Sequence, residues 1–120
     1  MQLGAKSRAA IDALALIAGA GSKPQSLSGI AERLGLSVSY LEQIFAVLRT
    51  ARLVESHRGP GGGYRLATPP GQIGVMQICG LFETRSQVMD GEPHAGFWSG
   101  LATDITEVLS RRTLADVGKA

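Results

Sequence analysis

Apolar residues recur at helical spacing in three successive stretches of this chain, and each stretch ends at a recognisable stop. Ile11, Leu14, Ala15 and Ala18 fall at i, i+3, i+4 and i+7, predicting one buried face of a first amphipathic helix. The segment from Gly19 to Gln25, with two Gly, a Ser and Pro24, breaks it. Ser26 is placed to cap a second helix carrying Leu27, Ile30, Ala31 and Leu34, which Gly35 stops. Ser37 can cap a third, with Leu41, Ile44, Phe45 and Leu48 as its apolar face; Ser39 and Glu42 are spaced as an alternative capping box. After Leu53 the period changes to that of a hairpin, LVESHR, GPGGG and YRLA, with Val54 and Ser56 alternating against Glu55 and His57.

The pattern then loosens. Thr68-Pro69-Pro70-Gly71 reads as a hinge, and Ile73, Met76 and Ile78 predict a brief helix ending near Gly80. A polar stretch runs from Glu83 to Pro93. From about His94 a long helix resumes, with Phe97, Leu101, Ile105 and Val108 on one stripe and Trp98, Ala102 and Leu109 beside it. One small domain has little core to cover two apolar faces, so a partner subunit is the expected cover; folding back on its own domain is the alternative. The boundaries expected are 1–67, 68–93 and 94–120, all within one compact domain of 120 residues.

Two short helices around the tight Gly35-Leu36-Ser37 turn match a helix-turn-helix, whose second helix enters a DNA major groove; the plainer reading is any helical hairpin. The exposed side of the third helix bears Ser39, Tyr40 and Gln43 near its start and Arg49 and Arg52 at its far end. Gln can bond adenine bidentately, Ser and Tyr serve bases or phosphates, and arginines neutralise the backbone. Glu42 repels phosphate and can accept from cytosine's amino group, so it is either a selectivity element or a cap for Ser39. The hairpin tip, Gly59 to Gly63 with Pro60, has almost no side-chain bulk and adjoins Arg58, which suits close approach to a phosphate backbone or a minor groove. A nucleotide-cradling loop would need a GK[ST] sequence and a following helix, and has neither.

Charge supports a polyanion partner for the first part of the chain. The net charge of +2 divides into 8 Lys+Arg against 4 Asp+Glu up to residue 65, and 4 against 6 beyond it. Lys6 and Arg8 before an apolar run imitate a secretion signal, but Asp12 and the helical periodicity argue for an ordinary helix, and no stretch reaches the ~20 apolar residues of a membrane span. A single cysteine excludes an internal disulfide and fits a reducing cytoplasm.

The run SLSGIAERLGLSVSYLEQIFAVLRTARLVESHRGPGGGYRL resembles the winged helix-turn-helix of the IscR/NsrR/BadM-type regulators of the Rrf family, with SYLEQIF and RGPGGGY its most specific pieces. MQLGAKSRAAIDALALIA and RRTLADV are similar too. The resemblance implies a mainly α fold with a small β-hairpin: a winged helix-turn-helix plus a long C-terminal dimerisation helix. It also implies a cytoplasmic homodimer bound to double-stranded operator DNA, a repressor of iron–sulfur, iron or stress-response genes. By position, Ser39, Tyr40, Glu42 and Gln43 become major-groove readers with Arg49 beside them. Arg58, Gly59, Pro60, Gly61, Gly62, Gly63 and Tyr64 become the wing contact, and Lys6 and Arg8 phosphate contacts. Phe97, Trp98, Leu101, Ile105 and Val108 become the dimerisation stripe.

Cluster-binding members carry three cysteines in the loop before the long helix, and a histidine can stand three residues before the Trp. Here TRSQVMDGEPHAGF has no cysteine, and Ala95 takes the histidine position with His94 one place off. The usual iron–sulfur site is therefore absent. Three readings of sensing follow: a cluster-free regulator answering to a protein, a metabolite or nothing; an atypical cluster on Cys79, His94 and carboxylates such as Glu83, Asp90 or Glu92; or Cys79 as a redox switch. Against the last two, Cys79 lies in an apolar setting where cysteines are usually inert, and His94 can be an ordinary helix-start residue. A winged-helix protein–protein module is the rival function. No nucleophile–base arrangement supports an enzyme.

Overall fold

The computed structural model describes residues 4–83 and 94–117, apart from the side chains of Ala95 and Trp98. Helices α1 (Ala5–Gly19), α2 (Leu27–Leu34) and α3 (Val38–Thr50) are followed by the hairpin β1 (Val54–His57) and β2 (Gly63–Leu66). A 3-10 turn (Pro70–Gln72), α4 (Val75–Phe82), α5 (Ala95–Ser110) and α6 (Leu114–Val117) complete the chain. This is the mainly helical fold with one small hairpin that the pattern predicts.

The caps stand where the sequence puts them. Ser26 Oγ accepts from the Gly29 N–H and Ser37 Oγ from the Tyr40 N–H, both at 3.1 Å, satisfying helix-start donors that would otherwise lack partners. Gly35 closes α2 in the left-handed region (φ 68°), its N–H and that of Leu36 both turning back to the Ala31 carbonyl.

The core gathers the inner faces of these helices. Phe45, Leu14, Ile17, Leu41, Ile44 and Leu48 are all fully buried. Around them lie Ile73, Ile78 and Leu114 from the second half of the chain. Two expectations differ from the structure. In α1 the fully buried apolar positions are Ala10, Ala13, Leu14 and Ile17, while Ile11, Ala15 and Ala18 are only half-buried. The buried stripe keeps the expected i, i+3, i+4, i+7 spacing but lies one residue earlier, set by the packing of α1 against α4, α6 and β2 as well as α2 and α3. The fourth helix begins at Val75, leaving buried Ile73 in the preceding loop, and runs past Gly80 to Phe82. Gly80 is an exposed helical glycine, which weakens a helix by about 1 kcal/mol without ending it.

The C-terminal stretch has two parts. The long helix stops at Ser110 after 16 residues. The chain then returns to the core: the Val75 N–H donates to the Arg112 carbonyl (2.9 Å) and the Leu114 N–H to the Ile73 carbonyl (2.8 Å), while Asp116 Oδ2 accepts from the Thr113 N–H (2.9 Å). Leu114 is buried against α1 and the 3-10 turn, so α6 belongs with the helical core. By contrast α5 contributes no buried described residue and packs mainly on α4, giving extents of 57 × 27 × 23 Å.

Candidate nucleic-acid interface

Because Ser37 caps α3, the Ser39–Glu42 capping box is not used. Ser39, Glu42 and Gln43 are exposed within one turn of the N-terminal half of α3, and among the described residues none has a side-chain hydrogen bond to the protein. Of the two roles open to Glu42, the cap is thus removed. Tyr40 is half-buried against the core, and Arg49 is exposed in the last turn, where a cation suits the helix dipole.

The hairpin pairs antiparallel in the register Val54↔Leu66, Glu55↔Arg65, Ser56↔Tyr64 and His57↔Gly63. Its tip closes with the Gly62 N–H donating to the Gly59 carbonyl at 2.9 Å. Gly59 and Gly61 take φ of 99° and 72° with open space where a Cβ would stand, and Arg58 and Pro60 are exposed beside them. These residues form a thin, open wing tip. Gly62 and Gly63 serve a different end, since a Cβ on Gly62 would strike the His57 carbonyl and one on Gly63 the Gln25 carbonyl.

That second approach ties the wing to the helical body. The Gln25 N–H donates to the Tyr64 carbonyl and the Tyr64 N–H to the Gln25 carbonyl, each at 2.8 Å. The half-buried Tyr64 ring lies 4.8 Å from that of Phe45, tilted at 53°. Tyr64 therefore anchors the wing from within. On the hairpin's outer face Arg65 Nε donates to Glu55 Oε1 at 2.7 Å, and His57 Nε2 stands 3.8 Å from the same oxygen. The Arg65 hydrogen bond and charge hold the Glu55 carboxyl below its usual range. Arg65 is thereby compensated, whereas Arg58 makes no ion pair among the described residues. Counting outward from the turn would have paired Glu55 with Arg65, but only once the register was known.

Lys6 and Arg8 are exposed at the start of α1, flanking the fully buried Ser7. Glu83 Oε1 accepts from both the Gly4 N–H (2.6 Å) and Ser7 Oγ (2.8 Å). The Gly4 bond first, then Ser7, lowers the Glu83 carboxyl; its stabilising effect is present above the ordinary carboxylate range and is lost as pH falls through the lowered value.

The residues considered for a metal do not converge. Cys79 is buried, and burial followed by the Glu83 charge pushes its thiol up, leaving it protonated at neutral pH. Glu83 is committed to α1, and His94 is exposed at the head of α5 with φ 59°. Asp90 and Glu92 lie outside the described residues. Among the described residues no three His, Cys, Asp or Glu side chains form a metal-binding group. Among the described residues, one buried, protonated thiol and one committed carboxylate do not make up the cysteine-ligated iron–sulfur site that the resemblance suggests. Native Cys79 is accordingly expected to react with a thiol reagent at neutral pH on the order of a hundredfold more slowly than after unfolding in guanidinium. Equal rates would place the thiol at the surface.

On α5, Phe97, Leu101 and Val108 are 63%, 38% and 58% exposed, and Ile105 is half-buried; the Trp98 side chain lies outside the described residues. Among the described residues no helix is long and apolar enough to cross a membrane.

A capped helix-turn-helix with an open polar face, followed by a hairpin wing, is the winged helix-turn-helix architecture. The Rrf2 family model, described as an iron-dependent transcriptional regulator, matches residues 3–120, and the chain belongs to that family. It is 36% identical over 136 residues to the HTH-type transcriptional regulator IscR of Cereibacter sphaeroides, covering 99% of this chain and 88% of that relative. An HTH-type relative from Neisseria meningitidis serogroup A is 50% identical over 86 residues, 71% of this chain, and the chain spans 58% of that relative's length. Among solved structures, T. potens IscR has a TM-score of 0.85 at 41% identity, covering 99% of this chain and 87% of that one. CymR, described as the global cysteine regulator of B. subtilis, has a TM-score of 0.87 at 33% identity, covering 99% and 97%.

Proposed function

We propose that this chain acts as a homodimeric, sequence-specific repressor of iron–sulfur, iron or stress-response genes. Helix α3 enters the major groove and the wing reaches the adjacent minor groove. The observation that carries this reading is the exposed trio Ser39, Glu42 and Gln43 on a helix whose opposite face is fully buried, with a bare wing tip and Arg58 in the same unit. Gln43 supplies an adenine-type bidentate contact and Glu42 an acceptor suited to the amino group of cytosine, so the carboxylate disfavours guanine and thymine, which present only acceptors there. Arg58 enters the minor groove, and Arg49, Lys6 and Arg8 hold phosphates. A helix without a buried described side chain, with Leu101 and Val108 exposed, supports α5 as the dimer contact that sets two recognition helices ~34 Å apart.

The test is fluorescence anisotropy with a random-sequence DNA duplex across a salt series. Affinity is expected to fall steeply with salt, and Arg58→Ala to weaken binding and flatten the slope by about 0.9. Salt-independent or absent binding would instead indicate a protein–protein assembly module, and an unchanged Arg58→Ala slope would remove the wing from the interface.

A further inference from the structure

Helix α1 starts without the usual means of holding its first turn. Gly4 at its N-cap has no side chain to cap the turn, and that turn contains no acidic residue. Two exposed cations, Lys6 and Arg8, stand in or next to this turn, adding positive charge where the helix dipole is already positive. Left alone, such a turn frays, because its first N–H groups lack acceptors.

The missing acceptor comes from the far end of α4. Glu83, the residue that ends α4, binds the Gly4 N–H at 2.6 Å and Ser7 Oγ at 2.8 Å, across 79 and 76 positions of sequence. Ser7 is fully buried, so this hydroxyl has no water to replace Glu83. A Cβ at Gly4 would come within 3.1 Å of Glu83 Oε1, so the carboxylate lies directly against the backbone of that residue. The arrangement is an N-cap supplied from another helix, with the charge that the dipole and the two cations both favour.

We infer that Glu83 is a positioning residue for DNA affinity: by capping α1 from α4, it holds Lys6 and Arg8 at the spacing at which they meet phosphates. This rests on the proposed role of Lys6 and Arg8 as phosphate contacts. It makes a prediction opposite in sign to simple electrostatics. Deleting a carboxylate beside a DNA-binding face ordinarily strengthens binding, because a repulsive charge is lost. Here deletion weakens it. The link also joins the residue at which α4 ends directly to the DNA-contacting turn of α1, so a displacement of Glu83 changes DNA affinity without touching α3 or the wing.

The experiment uses the full chain and a random-sequence duplex over a salt series. Glu83→Ala is expected to weaken binding at low salt on the order of tenfold, the cost of a lost cap, and to flatten the salt slope by up to about 0.9 for each cation released. Glu83→Gln, whose amide oxygen still accepts from Gly4 and Ser7, is expected to restore most of the slope. Ser7→Ala, which keeps the Gly4 bond, gives an intermediate loss and serves if Glu83→Ala does not fold. In a Lys6→Ala/Arg8→Ala background, Glu83→Ala should add little. Tighter or unchanged binding by both Glu83→Ala and Ser7→Ala, or losses fully additive with those of the cations, overturns the inference. If Lys6→Ala/Arg8→Ala itself leaves affinity and slope unchanged, the phosphate-contact reading has failed and takes the inference with it, an outcome that this arm alone identifies.

Discussion

Gly63→Ala is expected to pull the hairpin away from the helical body. Gly63 has φ 151°, and a Cβ there would overlap the Gln25 carbonyl and come within 2.7 Å of the Ser26 nitrogen. All of these atoms are backbone, so no side-chain rotation relieves the clash. Relief requires separating β2 from residue 25, which breaks the two 2.8 Å bonds between Gln25 and Tyr64. It also disturbs Ser26, the cap of α2. Two exposed or re-solvated backbone pairs and a strained dihedral together cost about 3–5 kcal/mol, a large share of a domain's stability. Amide exchange measures it directly: Gln25 and Tyr64 N–H groups should lose protection while those of α3 keep theirs. Retained protection at both amides would mean that the strand accommodates a methyl group and that the close approach is dispensable.

A comparable loss is expected from Phe45→Ala, by another route. Phe45 is fully buried in α3, and its ring is the surface on which Tyr64 rests at 4.8 Å. Removing it leaves a cavity bounded by helices that cannot collapse, at a cost of about 3–5 kcal/mol. For a chain of this length the thermal midpoint falls by roughly 10–20 °C. The wing also loses its aromatic support, so DNA affinity should drop even below the midpoint. Phe45→Leu, which retains most of the apolar volume, separates the two effects: stability largely returns, whereas the ring contact with Tyr64 does not. A midpoint shift of only a few degrees for the alanine variant would show that the site repacks.

What the sequence made legible is local. Ser26, Gly35 and Ser37 mark helix ends by chemistry contained within four or five residues, and the face Leu41, Ile44, Phe45 and Leu48 repeats with a period that needs no knowledge of its surroundings. The exposed face with Ser39, Glu42 and Gln43 follows from the same periodicity, because fixing the buried face of a helix also fixes the open one. What stayed hidden is non-local. The bridge from Gln25 to Tyr64 lies in a segment read only as a breaker, and strand pairing across 39 positions leaves no periodic trace. Glu83 looked like one carboxylate among several at the edge of a polar loop; its partners are a glycine amide and a serine near the other end of the chain. In α1 the spacing is legible but the stripe lies one residue off, because Ala9, Ala10, Ala13, Ala15 and Ala18 suit either face and only the elements packed around the helix choose between them. The return of α6 to the core depends on bonds from Ile73 and Arg112 that no local pattern announces.

The open face of α3 has one more consequence. Ser39, Glu42 and Gln43 face outward and bear none of the hydrogen bonds that hold the fold together among the described residues. Substitutions at such positions ordinarily change stability by no more than about 0.5 kcal/mol. The residues that would choose the operator are thus thermodynamically silent, while those that aim them are not. A lineage can rewrite the one set by ordinary drift, moving the regulator to a new group of genes without ever passing through an unfolded ancestor.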